Sequence, residues 1–195
     1  MRTLSRGLNL TALFVVLGLT LPYRLAAQYK YFGFIGGANL SDMSDETGFY
    51  STGTRWGGTA GAVMGLRTKS RMVVALEPAW SQMGGNDVRI DFVEVPLVLG
   101  GMGGSSSQTR VGGYIGIMPA FKVSCDIKVG TNSCNSVKGT SWFLPLGSRF
   151  MFKTGKRKFV GLDVRYAIPL GSSFDPVNVR LRTWSFRLVF VKGDL

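Results

Sequence analysis

The sequence contains no histidine and only two cysteines, and charged side chains make up just 17 % of its 195 residues. Each scarcity closes off a kind of chemistry. Without histidine the commonest general base is missing, and no nucleophile-base spacing stands out among the Ser, Asp and Lys that remain. A zinc site would lack its usual nitrogen ligands as well. The stretches "GGMGGSSSQT" and "VKGTS" have neither Walker nor dinucleotide spacing, so their glycines read as turn chemistry. Basic residues outnumber acidic ones by 23 to 11, yet no helix-turn-helix, zinc-finger or RNP pattern accompanies that charge. The expectation is a protein that is not an enzyme, carries no cofactor, binds no nucleic acid and has no small-molecule substrate identifiable from its residues.

Long apolar runs are also scarce. The one at the N-terminus, "LTALFVVLGLTL" from Leu10 to Leu21, follows Arg2 and Arg6 and precedes "LAAQ" with its small residues Ala26 and Ala27. That order is the order of a secretory signal peptide, and the run is shorter than the roughly 20 residues that a spanning helix needs. The reading is therefore a leader over 1–28 and one domain over 29–195. Removing Arg2, Arg6 and Arg24 with the leader lowers the 23 basic residues by three against 11 acidic ones, leaving about +9. In an exported chain Cys125 and Cys134, close together in one polar segment, are expected to form a disulfide.

Glycine and alternation are what the chain has in quantity. With 27 glycines and no helical periodicity after the leader, the domain divides into eight alternating segments: 29–39, 57–67, 71–83, 90–100, 110–121, 141–152, 158–169 and 183–191. The connections alternate too. "LSDMSDETGFYSTGTRW", "GGNDVR", "KVSCDIKVGTNSCNSVKGT" and "LGSSFDPVNVRLR" are mostly long and polar, whereas "TKS", "GMGGSSSQT" and "KTGKR" are shorter. This rhythm predicts an all-β, eight-stranded antiparallel up-and-down barrel with both termini at the short-turn end. Basic residues crowd two of those turns: Arg67, Lys69 and Arg71, then Lys153, Lys156, Arg157 and Lys158. They would meet the anionic head groups or polymers of the periplasm.

Which face is apolar decides the solvent. Trp184, Phe186, Leu188 and Phe190 share one face of the last segment, and Val160, Leu162, Val164, Tyr166 and Ile168 one face of "VGLDVRYAIPLG". The opposite faces carry Gly61, Gly65, Ala75, Ala79, Gly112 and Gly116 with a few charges, which suits the narrow inside of an eight-stranded barrel. The apolar face then points to lipid, making this a transmembrane barrel. Trp56, Trp80, Trp142 and Trp184 near the long-loop ends, with Phe152, Phe159 and Phe190 near the turns, read as two interfacial girdles. Pro78, Pro96, Pro119, Pro145 and Pro169 interrupt the pattern, and bulges or early strand ends near the long loops would accommodate them.

By the same parity Glu77, Glu94, Asp163, Arg165 and Arg187 face the lumen. Arg149 is included with them, although Gly147 and Met151 define its face poorly. Both signs are present, so the expectation is a network of charge pairs that fills the lumen in place of a pore, the competing arrangement being unpaired charges at solvated rims.

The stretches "GFIGGANLSDM", "LEPAWSQMGG", "FVEVPLVLG", "GGYIGIMPAF" and "VGLDVRYAIPLG" resemble the PorT-like, Bacteroidetes-type outer-membrane β-barrel proteins of the porin family. Glutamate-proline and glutamate-x-proline pairs like Glu77–Pro78 and Glu94–Pro96 recur within strands of that family. The resemblance implies a fold and a location, the bacterial outer membrane, and no activity. The function expected is structural or interactive: a barrel held in outer-membrane lipid, with loops outside and a periplasmic or cell-surface protein as candidate partner. The alternative is a soluble exported barrel that binds a small lipid in an apolar interior.

Overall fold

The computed structural model describes residues 29–45, 51–104, 108–127, 134–173 and 179–195; the leader expected over 1–28 lies outside the described residues. Among the described residues ten strands follow one another: β1 (Tyr29–Asp45), β2 (Ser51–Arg67), β3 (Met72–Leu76), β4 (Ala79–Gly85), β5 (Val88–Glu94), β6 (Leu97–Gly103), β7 (Thr109–Ile127), β8 (Thr140–Gly155), β9 (Lys158–Pro169) and β10 (Val179–Gly193). All pairings are antiparallel. The third and fourth segments are each one path broken once, into β3 with β4 and β5 with β6, which leaves eight strand paths. Each path pairs on both sides, and β1 pairs with both β2 and β10, so the hydrogen-bonded circuit closes on itself. Closure removes the exposed sheet edges that an open sheet would present.

The breaks correct the expected place of two prolines. Pro78 and Pro96 lie about halfway along their paths, away from the long-loop ends. Proline has no N–H to donate, so the ladder stops there, but its carbonyl still accepts. Ala62 N donates to Pro78 O at 2.9 Å, Glu77 N to Pro96 O at 3.0 Å, and Val95 N to Pro119 O at 3.0 Å. The interruption is thereby shared between adjacent strands. Facing is preserved across it, with Ala75, Glu77 and Ala79 all buried.

A second correction concerns the loops. β1 and β2 stay paired as far as Ser44 and Ser51, past a register shift between Asp42 and Ser44, so most of the first polar connection is strand. β7 likewise runs to Ile127. "GGNDVR" contains only a two-residue turn, Asn86 and Asp87, because Gly85 pairs with Val88. Alternation is hidden in these stretches because polar residues occupy both faces. A 17-residue strand such as β1 rises about 40 Å at roughly 3.3 Å per residue and a 40° tilt, well beyond the roughly 25 Å apolar band of an outer-membrane barrel.

The narrow interior is filled by pairing rings with glycines. Tyr31 lies opposite Gly65 and Tyr114 opposite Gly147; a Cβ on either glycine would come within 2.3 Å of its partner's ring. The outer surface is apolar around the ring, including Phe34, Trp56, Leu97, Ile115, Phe150, Leu162 and Leu188, all exposed. Trp56, Trp80, Trp142 and Trp184 point outward, and Trp184 packs on Tyr166 with ring centroids 4.6 Å apart. Phe159 does not belong to the turn-end girdle. It shares the face of Gly161 and Asp163, and it is buried inside.

Cys125 and Cys134 are joined, their Cα atoms 5.8 Å apart. Lys122 Nζ reinforces the same corner, donating to Cys134 O at 2.9 Å and Val137 O at 2.6 Å. Alkylation without reductant should leave the intact mass unchanged, and replacing both cysteines by serine should cost about 2 to 3 kcal/mol by loop-closure entropy. Two labelled thiols in the unreduced protein would overturn the assignment.

Candidate functional site: charges buried in the lumen

Three neighbouring strands place opposite charges side by side. Arg149 on β8 pairs in register with Asp163 on β9, which pairs in register with Arg187 on β10. Alternation turns all three inward. Arg165, two residues after Asp163, faces the same way one step toward the loops. From across the lumen Glu77 enters at the β3–β4 break.

Glu77 and Asp163 are fully buried, and the three arginines are at most 4 % exposed. Glu77 Oε1 accepts from Arg149 Nη2 at 2.6 Å, and Oε2 accepts from Arg187 Nη2 at 3.2 Å and from Arg165 Nη2. Asp163 accepts from Arg149 Nε and Arg187 Nε, both at 2.9 Å, and from Arg187 Nη2. Tyr114 OH donates to the Asp163 carboxylate at 3.0 Å and accepts from Arg165 Nε and Arg187 Nη2, each at 3.2 Å. Its ring also lies under two guanidinium groups, Arg149 at 5.4 Å and Arg165 at 5.6 Å from the centroid.

The six residues named from sequence are thus placed in one inward-facing cluster, with unequal roles. Glu94 is its outlying member: buried, but 3.9 Å from Arg165 Nη1, beyond hydrogen-bond range. Tyr114 was missed. The signal was there, since it sits between Gly112 and Gly116 on their face in "GGYIGIM", but an aromatic among glycines does not announce a hydroxyl bound to a carboxylate.

Buried apolar side chains lie on both sides of the cluster along the barrel axis, with the polar Asn39, Thr59, Ser81 and Ser185 buried beside it toward the loops. On the turn side pack Tyr31, Val63, Val98, Met102, Met151 and Val189; on the loop side Met83, Ile90, Phe92, Met118, Phe143 and Leu181. The gap beside Tyr114 and Arg149 has a volume of about 20 Å³, enough for about one water. Three carboxylates match three guanidinium groups, which is what burial away from solvent demands. Chemically the arrangement is a plug of opposed charges, hydrogen-bonded around Glu77 and Asp163. The one hydroxyl in the cluster, that of Tyr114, is spent on the Asp163 carboxylate and on two guanidinium groups, and no group of three or more His, Cys, Asp and Glu among the described residues could hold a metal ion.

No family model matches the chain, and no curated protein matches its sequence. Some solved structures are similar to it. The outer membrane protein OprG from Pseudomonas aeruginosa is 16 % identical with a TM-score of 0.49, over 84 % of this chain and 95 % of that one. Neisserial surface protein A is 14 % identical with a TM-score of 0.48, over 81 % and 95 %. Ail, the attachment invasion locus protein of Yersinia pestis, in complex with the heparin analogue sucrose octasulfate, is 13 % identical with a TM-score of 0.45, over 83 % and 98 %.

Proposed function

We propose that this chain is an integral protein of the bacterial outer membrane, a non-enzymatic eight-stranded barrel whose lumen is closed by its own side chains. The observation that carries the reading is the inverted solvent preference: bulky apolar residues such as Phe34, Leu162 and Leu188 are exposed all round, while Glu77, Asp163 and Arg165 are buried. A soluble barrel would reverse that arrangement. The soluble lipid-binding alternative also needs an apolar interior cavity, and the lumen has a charge cluster where that cavity would be. The leader over 1–28, export through it and the PorT-like relationship belong to the same proposal; the latter is supported by the stretches around Glu77–Pro78 and Glu94–Pro96. With the short turns toward the periplasm, the tall loop end of β1, β2 and β7 becomes the surface open to a cell-surface protein, and the turns face a periplasmic one.

Carbonate extraction of membranes tests the proposal. The protein should stay in the pellet and, once purified, give no stable conductance in planar bilayers. Release into the supernatant would overturn the membrane reading, and sustained nanosiemens-scale openings would overturn the closed lumen.

A further inference from the structure

At the short-turn mouth three strands end their inward faces on a cation. Arg67 follows Val63 and Gly65 on β2, Arg110 precedes Gly112 and Tyr114 on β7, and Lys153 follows Arg149 and Met151 on β8. Together with Lys156 of the β8–β9 turn they line a single cavity of about 270 Å³, which Phe159 and Leu195, two members of the turn-side apolar layer, also border. Unlike those of the lumen these charges enter no ion pair among the described residues, although the Arg67 guanidinium lies over the Tyr29 ring, 5.7 Å from its centroid, on the same wall. Among the described residues no carboxylate lies within ion-pair distance of the four, and Asp194, on the same wall, is engaged with Arg157 at 3.1 Å.

The Nε atoms of Arg67 and Arg110 are buried and have no hydrogen-bond partner among the described residues. Withdrawing a guanidinium N–H from water without an acceptor is unfavourable, and gathering like charges around it more so. An oxyanion relieves both, because it accepts from two planar forks at once and neutralises the ammonium groups beside them.

We propose that this cavity binds a phosphate-type oxyanion, free or as an anionic lipid head group, with Arg67 and Arg110 supplying hydrogen-bonding forks and Lys153 and Lys156 supplying charge. The site depends on the barrel mouth and on no property of the bilayer, so it goes beyond the function proposed above.

The test uses the chain over 29–195 in nanodiscs of zwitterionic phosphatidylcholine, titrated calorimetrically with inorganic tripolyphosphate. Saturable binding is expected, weakened at least about tenfold by Arg67→Gln with Arg110→Gln. The pair Lys69→Gln with Lys192→Gln removes equal charge outside the cavity and should change affinity less than about twofold. Should the first pair not fold, Arg110→Lys keeps the charge, loses the fork and should still weaken binding. Phosphatidylglycerol in the disc weakens the titration if a head group reaches the cavity, and leaves it unchanged if the natural anion is soluble. Absence of saturable binding, or equal loss in both double variants, overturns the site. Failure to enter nanodiscs counts against the membrane reading alone, and the titration is then run in buffer.

Discussion

Glu77→Ala is expected to lower barrel stability by about 3 to 5 kcal/mol, the penalty for leaving a buried charge without its partner. Glu77 is the acceptor common to Arg149, Arg165 and Arg187. Removing it leaves three buried guanidinium groups facing Asp163 and the more distant Glu94, with room beside Tyr114 and Arg149 for about one water. Glu94→Ala should cost clearly less, since its nearest guanidinium nitrogen is 3.9 Å away. Urea unfolding of both variants in phospholipid vesicles measures the difference. Adding Arg149→Met to Glu77→Ala should recover part of the loss, because it removes one of the stranded charges, and the resulting cycle isolates the pair from its neighbours. Equal midpoints for the wild type and the Glu77 and Glu94 variants would show that the lumen is wet enough to solvate the arginines.

The placement of these residues in the lumen was legible because alternation is rigid: once Val160, Leu162 and Val164 are known to face out, Asp163 and Arg165 have only one direction left. The eight paths could be read for the same reason, each having one face that meets a single environment. What alternation does not encode is height along the barrel. Parity cannot say that Arg149, Asp163 and Arg187 lie in one row across three strands, because that depends on shear between strands. It is equally silent about distance across the lumen, which is why Glu94 and Glu77 looked equivalent. The misplaced features share a cause. The girdle reading takes Phe159 by its chemistry against its own parity, and the strand ends of β1, β2 and β7 disappear into polar sequence because both of their faces are polar there. Alternation likewise gives no sign that the ladder stops midway along two paths, at Pro78 and Pro96, where neighbouring carbonyls and amides pair across the staggered breaks.

Height does have a measurable consequence, and it gives the second large effect: Leu188→Arg should cost about 2 to 4 kcal/mol if the outer face is dissolved in lipid, the penalty for a cation at the bilayer midplane. Leu188 is four residues from Trp184 and four from Lys192 on β10, and it lies opposite Leu162 on β9 and Gly36 on β1. With Trp184 at one interface and Lys192 at the other, it occupies the middle of the apolar band. Leu66 on β2 is the matched control. It also faces outward, but its partner on β1 is Lys30, so at that level the structure already presents a cation. The same substitution there should cost about 0 to 1 kcal/mol, because an arginine near the interface extends its charge into the head groups. Urea midpoints of the two variants in vesicles compare identical chemistry at two depths. In a barrel surrounded by water both substitutions would be nearly neutral. Indistinguishable midpoints for Leu188→Arg and Leu66→Arg would therefore remove the bilayer from the interpretation while leaving the barrel and its buried charges in place.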